Sequence, residues 1–499
     1  MASATLLSRI LGFVRDMCMA WLLGGGPAAD MLTLAMRLPN LARRLLGEGT
    51  LSMSLTADFS RNLADVRSGA DGHAGLSRLA AALAVRLALA LGCAVLLGEA
   101  LAQPLMVLLA PGLHAECTAR GAFLLRICLP YAFFAGMTAL SMALLHSLHS
   151  FLLPSLSPAF FNLTVIVFAG ASALGLADPA LLLALGVLCG GFVQCLSQGI
   201  ALHKLGVRPW LTRPGSMAEE TARELRHSLR RLPSSIAGAA APQLSMLGAA
   251  VLASWLPAGS IAALYYAERI LEFPLGLAGS ALGMASLPSL TTMAATRCTT
   301  DMEQVAGDAL RLSLCISLPA TAGLLATGGP LVRILFLRGA FDSQALADTT
   351  LALYSYLPAL PAYAASRPLL ALCNACNNTR LIGASALISV FSAFFLGLLL
   401  LPCGISGPAL GFSLGLWAQA ATLRFGLHRS GIRLHIFTVA LARYTAGSVL
   451  VFAAASLVLF LLPDSPLSLM LTVFLAIAAY AFFLLGTGDR DIRQLVRRL

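Results

Sequence analysis

Charge is scarce in this 499-residue sequence: Asp, Glu, Lys and Arg together make up 11% of it, against about 25% in a soluble domain. A water-exposed surface cannot be built from that supply. Lysine is nearly absent, since every one of the 33 basic side chains except Lys204 is arginine, a bias that codon usage alone can produce. Although the net charge is +11, no basic block is long or aromatic enough to form a nucleic-acid face, so nucleic acid is not an expected partner. Catalytic signatures are missing too. There is no GxxxxGK[ST] motif and no HExxH, and His146 and His149 have no matching acid or thiol. ATP use, covalent catalysis, a cofactor and a bound metal are therefore not expected, and the chain is not read as an enzyme. Most of the 11 cysteines, such as Cys93, Cys189, Cys195 and Cys315, lie in apolar blocks and read as small core residues, while the Cys373/Cys376 pair has no second pair to complete a metal site. A cleavable signal peptide is not expected, because Arg9, Arg15 and Asp16 interrupt the first apolar block.

What fills the sequence instead is apolar: 58% of residues are hydrophobic and the mean hydropathy is +0.85. Runs of about 20 apolar residues, enough to cross a bilayer core as helix, recur almost to the C-terminus. They predict an all-α polytopic membrane protein rather than a soluble enzyme with one anchor. Spans are expected at 5–24, 29–46, 78–109, 122–147, 154–175, 179–203, 234–256, 260–290, 309–328, 346–373, 380–402, 405–427, 438–462 and 466–486. Arginine is concentrated in the loops after even-numbered spans and in the tail with Arg490, Arg493, Arg497 and Arg498. Those loops and both termini are therefore expected on the cytoplasmic side. Residues 1–204 form an N-terminal lobe of six spans, 205–232 a cytoplasmic linker, 233–433 a second six-span lobe, and 434–499 two extra helices with a basic tail. Sliding residues 29–58 along 261–290 pairs Leu32 with Leu264, Ala35 with Ala267 and Arg37 with Arg269. Only the arginine pair is informative in so Leu/Ala-rich a chain.

Charge inside a span is costly and usually faces a cavity on a substrate or ion path. Here it gathers in three spans: Arg9, Arg15 and Asp16 in the first, Asp30, Arg37, Arg43, Arg44 and Glu48 in the second, and Glu268, Arg269 and Glu272 in the eighth. At 100° per residue Arg9 and Asp16 share a face, as do Arg37 and Arg44, and Glu268 and Glu272. Arg43, Arg44 and Glu48 can equally reach the headgroups from a helix end, and Arg9 from the chain start. For Arg15, Arg37 and Arg269 the competing role is ion pairing to Asp16, Asp30 or Glu272. The excess of arginine over acid points to an anionic substrate, because a guanidinium fork binds phosphate oxygens bidentately. Pro39 and Pro274 fall inside the second and eighth spans as candidate hinges.

These residues carry a resemblance. The run from Ser8 to Asp16, then Ala29-Asp30, Arg37 to Arg44 and Gly47-Glu48-Gly49, resembles the opening of the MurJ/MviN family of bacterial lipid II flippases. Ala110-Pro111-Gly112, Leu129-Pro130-Tyr131, Pro158 to Asn162 and Tyr265 to Pro274 follow in the family's order. The resemblance implies a fold of the multidrug/oligosaccharidyl-lipid/polysaccharide exporter type. Two six-helix lobes would flank a central cavity, and two C-terminal helices would form a groove for the lipid tail, which Gly447→Trp or Ala454→Trp would narrow. It implies alternating-access flipping of undecaprenyl-pyrophosphate-linked peptidoglycan precursor across the bacterial cytoplasmic membrane. Arg9, Arg15, Arg43 and Arg269 match the family's substrate-binding arginines, with Asp16, Asp30, Arg37, Glu48 and Glu272 as supporting cavity charges. A monomer is expected, with lipid II as substrate and cell-wall synthesis enzymes as candidate partners. In this chain the first span starts closer to the N-terminus than is usual in the family, which alters the expected surroundings of Arg9. Gln243, Asn377 and Asn378 stand where a sodium site described for some members needs acids, leaving proton and potential coupling open. The competing readings are a cation-coupled drug or polysaccharide exporter, disfavoured by the arginine excess, and a non-transporting membrane scaffold, which has no need of buried charge on three helices.

Overall fold

A computed structural model describes residues 2–46, 55–56, 59–60, 72–210, 212, 241–275, 299–432, 434, 438–462 and 465–487. The described chain is helical, and the described part of each of the fourteen expected spans falls on helix. Eight helical stretches among the described residues are long and apolar enough to cross a bilayer. The first two helices are excluded from that count by their charges rather than by their length.

The chain forms two compact units: Met1–Ala240 with Pro257–Ala262, and Ala241–Leu256 with Ala263–Leu499. In the first unit α1 (Ala2–Leu23) and α2 (Pro27–Leu46) are followed by α3 (Gly72–Ala100) and α4 (Ala102–Leu109). Then come α5 (Ala115–Cys128), α6 (Pro130–Ser147), α7 (Leu152–Ala173) and α8 (Pro179–Lys204). Helix α7 lies against α1 and α8, while α2 packs on α5 and α6. Proline decides where a span breaks. The ring of Pro104 collides with the carbonyl four residues back, at Ala100, and the expected single span 78–109 is accordingly split at Leu101. At Pro130 the expected 122–147 span carries on, because Leu129 keeps helical dihedrals and Ala115–Ser147 runs as one membrane-long stretch. Pro39 is likewise accommodated within an unbroken α2.

Helix α9 (Ala241–Ala253) belongs to the second unit, and α10, at 260–275, begins in the first unit and continues into the second. The second unit goes on with α11 (Thr299–Phe336), α12 (Ser343–Tyr356), α13 (Ala359–Ala375), α14 (Thr379–Leu399), α15 (Ser406–Arg429), α16 (Thr438–Leu461) and α17 (Pro466–Gly486). Helix α11 has 38 residues, about 57 Å at 1.5 Å per residue, far more than the expected 309–328. Its extra turns carry Asp301, Glu303 and Arg333, a polar extension that an apolar run cannot reveal. Helices α14 and α15 meet over small residues: Gly407, Gly411 and Gly415 on one face oppose Ser389, Ala393 and Gly397 on the other. A β-carbon at Gly411 would lie 2.5 Å from Gly397 Cα. Backbones approach this closely only where side chains are missing. The last two helices pack on α11 around Cys315, Tyr444, Val451 and Tyr480, with the Tyr480 hydroxyl donating to the Cys315 carbonyl at 2.8 Å.

Candidate functional site

In the first unit the in-span charges of α1 are tied to one another and to α7. Arg15 pairs with Asp16 at 2.8 Å, and its Nη1 donates to Asn162 Oδ1 at 3.0 Å. Asn162 Nδ2 in turn donates to the Ser8 carbonyl at 3.1 Å, and the Phe161 ring lies 5.9 Å from the Arg15 guanidinium carbon. Adjacent residues on a helix point 100° apart, so a pairing of Arg15 with Asp16 requires the long arginine side chain to fold along the helix. The bond to Asn162 fixes it there. Arg15 keeps 17% of its side chain exposed while Asp16 keeps 3%. Gly12 makes room for this arrangement, because a β-carbon there would stand 3.3 Å from Asn162 Nδ2.

In the second unit Arg269 pairs with Glu272 at 2.9 Å, one helical turn on, and stacks on the Tyr265 ring with 4.9 Å from guanidinium carbon to centroid. Both charged side chains stay partly exposed, at 19% and 27%. Glu268 does not share that setting despite its place on the same helical face. It is fully buried and accepts a 3.3 Å hydrogen bond from the Tyr356 hydroxyl.

Asp30 serves a different purpose from the cavity charge expected of it. Its two oxygens accept from the backbone N–H groups of Gly259 at 2.6 Å and Ala262 at 2.7 Å, so it caps the start of α10, satisfying N–H groups that a helix N-terminus leaves over. Gly259 has φ +95°, and a β-carbon there would run into the Gly25 carbonyl. Ala262 is the residue that the 29–58/261–290 register pairs with Asp30. Arg37 is half-buried, Arg43 and Arg44 are half-buried in the last turn of α2, and Arg9 is exposed although Asp16 on its face is buried. Glu48 lies outside the described residues. Pro274 lies on α10 one residue before the described segment ends.

Two residues were not singled out as functional from sequence. Asn162 stands out only as a lone amide in an apolar span. Arg367, exposed on a largely buried α13, stacks on Tyr363 at 4.6 Å. Its signal is an arginine four residues after a tyrosine in a run of alanine, leucine and proline. Chemically, Arg15 and Arg269 present what an anion needs: guanidinium donors held by a carboxylate and a ring, with part of the surface left open.

Comparison with known proteins bears on the chain as a whole. The family model for lipid II flippase MurJ matches residues 19–480. A probable lipid II flippase MurJ of Bdellovibrio bacteriovorus is 32% identical, covering 100% of this chain and 95% of the relative. One from Vibrio cholerae is 30% identical over 86% of this chain and 82% of its own length. Among solved structures, a lipid II flippase MurJ in an inward closed conformation superimposes with a TM-score of 0.80 at 21% identity, covering 99% of each chain. An inward-facing multidrug resistance MATE family transporter matches with a TM-score of 0.69 at 14% identity, over 85% of this chain and 95% of its own.

Proposed function

This chain belongs to the lipid II flippase MurJ family, and we propose from that premise that its arginines move the pyrophosphate of the substrate. It is a multi-pass membrane transporter that flips lipid II, the lipid-linked peptidoglycan precursor, from the inner to the outer leaflet of the bacterial cytoplasmic membrane. Arg15 and Arg269, each within its own unit, are the contacts for the pyrophosphate, with Arg9 and Arg43 meeting it nearer the helix ends. Asp16 and Glu272 hold the two principal guanidiniums in place, Arg37 and Glu48 add supporting charge, and Asp30 supports α10. Pro39 and Pro274 let α2 and α10 bend as access alternates. The observation that carries this reading is the Arg15–Asp16–Asn162 cluster, a guanidinium fixed from two sides on a partly exposed side chain of α1. The drug-exporter reading is the weaker one, because the family match is to lipid II flippases and the multidrug transporter resembles this chain in fold at only 14% identity.

Residues 1–204 and 233–433 are the two moving lobes, 205–232 the cytoplasmic linker, and 434–499 the helices that guide the lipid tail. Both termini lie in the cytoplasm, and the chain acts as a monomer alongside cell-wall synthesis enzymes. The test is complementation of a bacterial strain depleted of its lipid II flippase, with accumulated precursor as the readout. Arg15→Ala and Arg269→Ala should each abolish rescue at normal membrane abundance, and the Lys variants should restore it only in part, because lysine keeps the charge but not the fork. Full rescue by both alanine variants would overturn the assignment.

A further inference from the structure

The first unit has a recess away from the arginines. It has a volume of about 500 Å³ and lies between α3, α6, α8 and the turn that follows α8. Its walls are apolar and largely aromatic: Phe133, Phe134, Phe192, Leu196 and Trp210. Phe192, Leu196 and Ile200 recur every four residues along α8, and each is about half exposed, so they form a single apolar stripe turned outward from the unit. The stripe ends at the last turn of α8, where the lining changes to His203 and Arg208, with exposed Lys204 beside them. Among the described residues, no acidic one lines the recess.

A slot that is apolar along its length and cationic at one end complements an anionic amphiphile lying parallel to α8. From Phe192 to His203 the helix rises about 16 Å, which is close to one ordinary acyl chain and much shorter than a polyprenyl tail. Basic pockets beside membrane helices bind anionic lipid headgroups, and an indole at the mouth suits the membrane interface. We infer that this recess binds one anionic phospholipid, with an acyl chain along Phe192, Leu196 and Ile200 and its phosphate held by His203 and Arg208. The inference rests on the chain's being a membrane protein and not on any role of Arg15 or Arg269.

Trp210 is one of four tryptophans in the chain and reports the site directly. The full-length protein is reconstituted in phosphatidylcholine vesicles holding a small share of brominated phosphatidylglycerol or brominated phosphatidylcholine. The Trp210 signal is taken as the difference from Trp210→Phe. Brominated phosphatidylglycerol should quench it with an apparent affinity higher by roughly fivefold for each basic group engaged. That preference should vanish in the double variant His203→Gln, Arg208→Gln, whose altered side chains are exposed and outside the packed interior. Gly199→Leu should block access for either lipid, since a β-carbon there meets only Trp210 Nε1, at an ordinary 3.5 Å. Equal quenching by the two lipids would mean lipid contact without a site and would overturn the inference. So would a preference that persists in the double variant, or displacement of phosphatidylglycerol by undecaprenyl phosphate at lower concentration.

Discussion

Arg15 depends on a partner 147 positions away in sequence. Asn162→Leu removes the acceptor of the 3.0 Å bond from Arg15 and the donor to Ser8, so the guanidinium loses its tie to α7 and keeps its pairing with Asp16. Flipping should fall at least tenfold while protein abundance stays near normal, as measured by precursor accumulation against immunoblot; a tenfold loss matches about 1.4 kcal/mol, just under the range of about 1.5–3 kcal/mol for a hydrogen bond to a charged group. Gly12→Val should mimic it by pushing the amide aside. At this scale the sequence makes charge legible, because arginine is conspicuous in an apolar run. Arg15 and Arg269 are found for that reason. Their partners are less legible: Asn162, and the Tyr356 that bonds Glu268, come from distant helices, and no spacing rule connects them. Asp30 was equally conspicuous, yet the structure spends both its oxygens on backbone N–H groups, since a helix start can take up a carboxylate as readily as a cavity can. Asp30→Ala should lower the thermal unfolding midpoint, reflecting about 1 kcal/mol for a lost cap. Asp30→Asn, which keeps one acceptor oxygen, should lower it less.

Helices and their junctions carry the next set of consequences. Expected span boundaries fell close to the observed helices wherever apolar residues simply ran out, as at 438–462 and 466–486. They missed where proline splits a helix, at Leu101, and where a polar extension lengthens one, as in α11, because hydropathy measures immersion and not helicity. The contact of α14 with α15 should be intolerant of bulk. Gly411→Leu would drive a side chain into Gly397 and the Ala393 carbonyl, and overpacking of this kind costs about 1–3 kcal/mol. A lower unfolding midpoint in detergent, against a nearly unchanged one for a replacement at open Gly383, would show it. Gly447 needs correction as a probe of the lipid-tail groove. A β-carbon there would sit 2.6 Å from Tyr480 and 3.1 Å from Phe483, so Gly447→Trp would pry α16 from α17 and would not narrow a groove. Ala454, half-buried on α16, remains the position for that test: Ala454→Trp should slow flipping while headgroup binding in detergent persists.

For the molecule as a whole, composition and the rhythm of apolar runs were enough to give an all-helical membrane fold, because a bilayer leaves a chain this apolar few alternatives, whereas the family came from its resemblance in short motifs such as Ser8 to Asp16 and Tyr265 to Pro274. Topology is checked by reporter fusions: those at Gly215 and after Arg490 should report cytoplasm, those at Gly112 and Pro257 the outer side, and an outward Gly215 would reverse the orientation. The pairing of Arg15 with Asp16 and of Arg269 with Glu272 bears on the half of the cycle that carries no cargo. A flippase that has delivered its lipid must reset empty, and a bare guanidinium would then face desolvation with nothing to balance it. With a carboxylate built in beside each arginine, the unloaded protein is already close to neutral at these points. On the role proposed for these arginines, the carboxylates stay beside them when the pyrophosphate leaves. The homeward journey then needs no cargo to balance the charge, so the empty carrier is not trapped at either end.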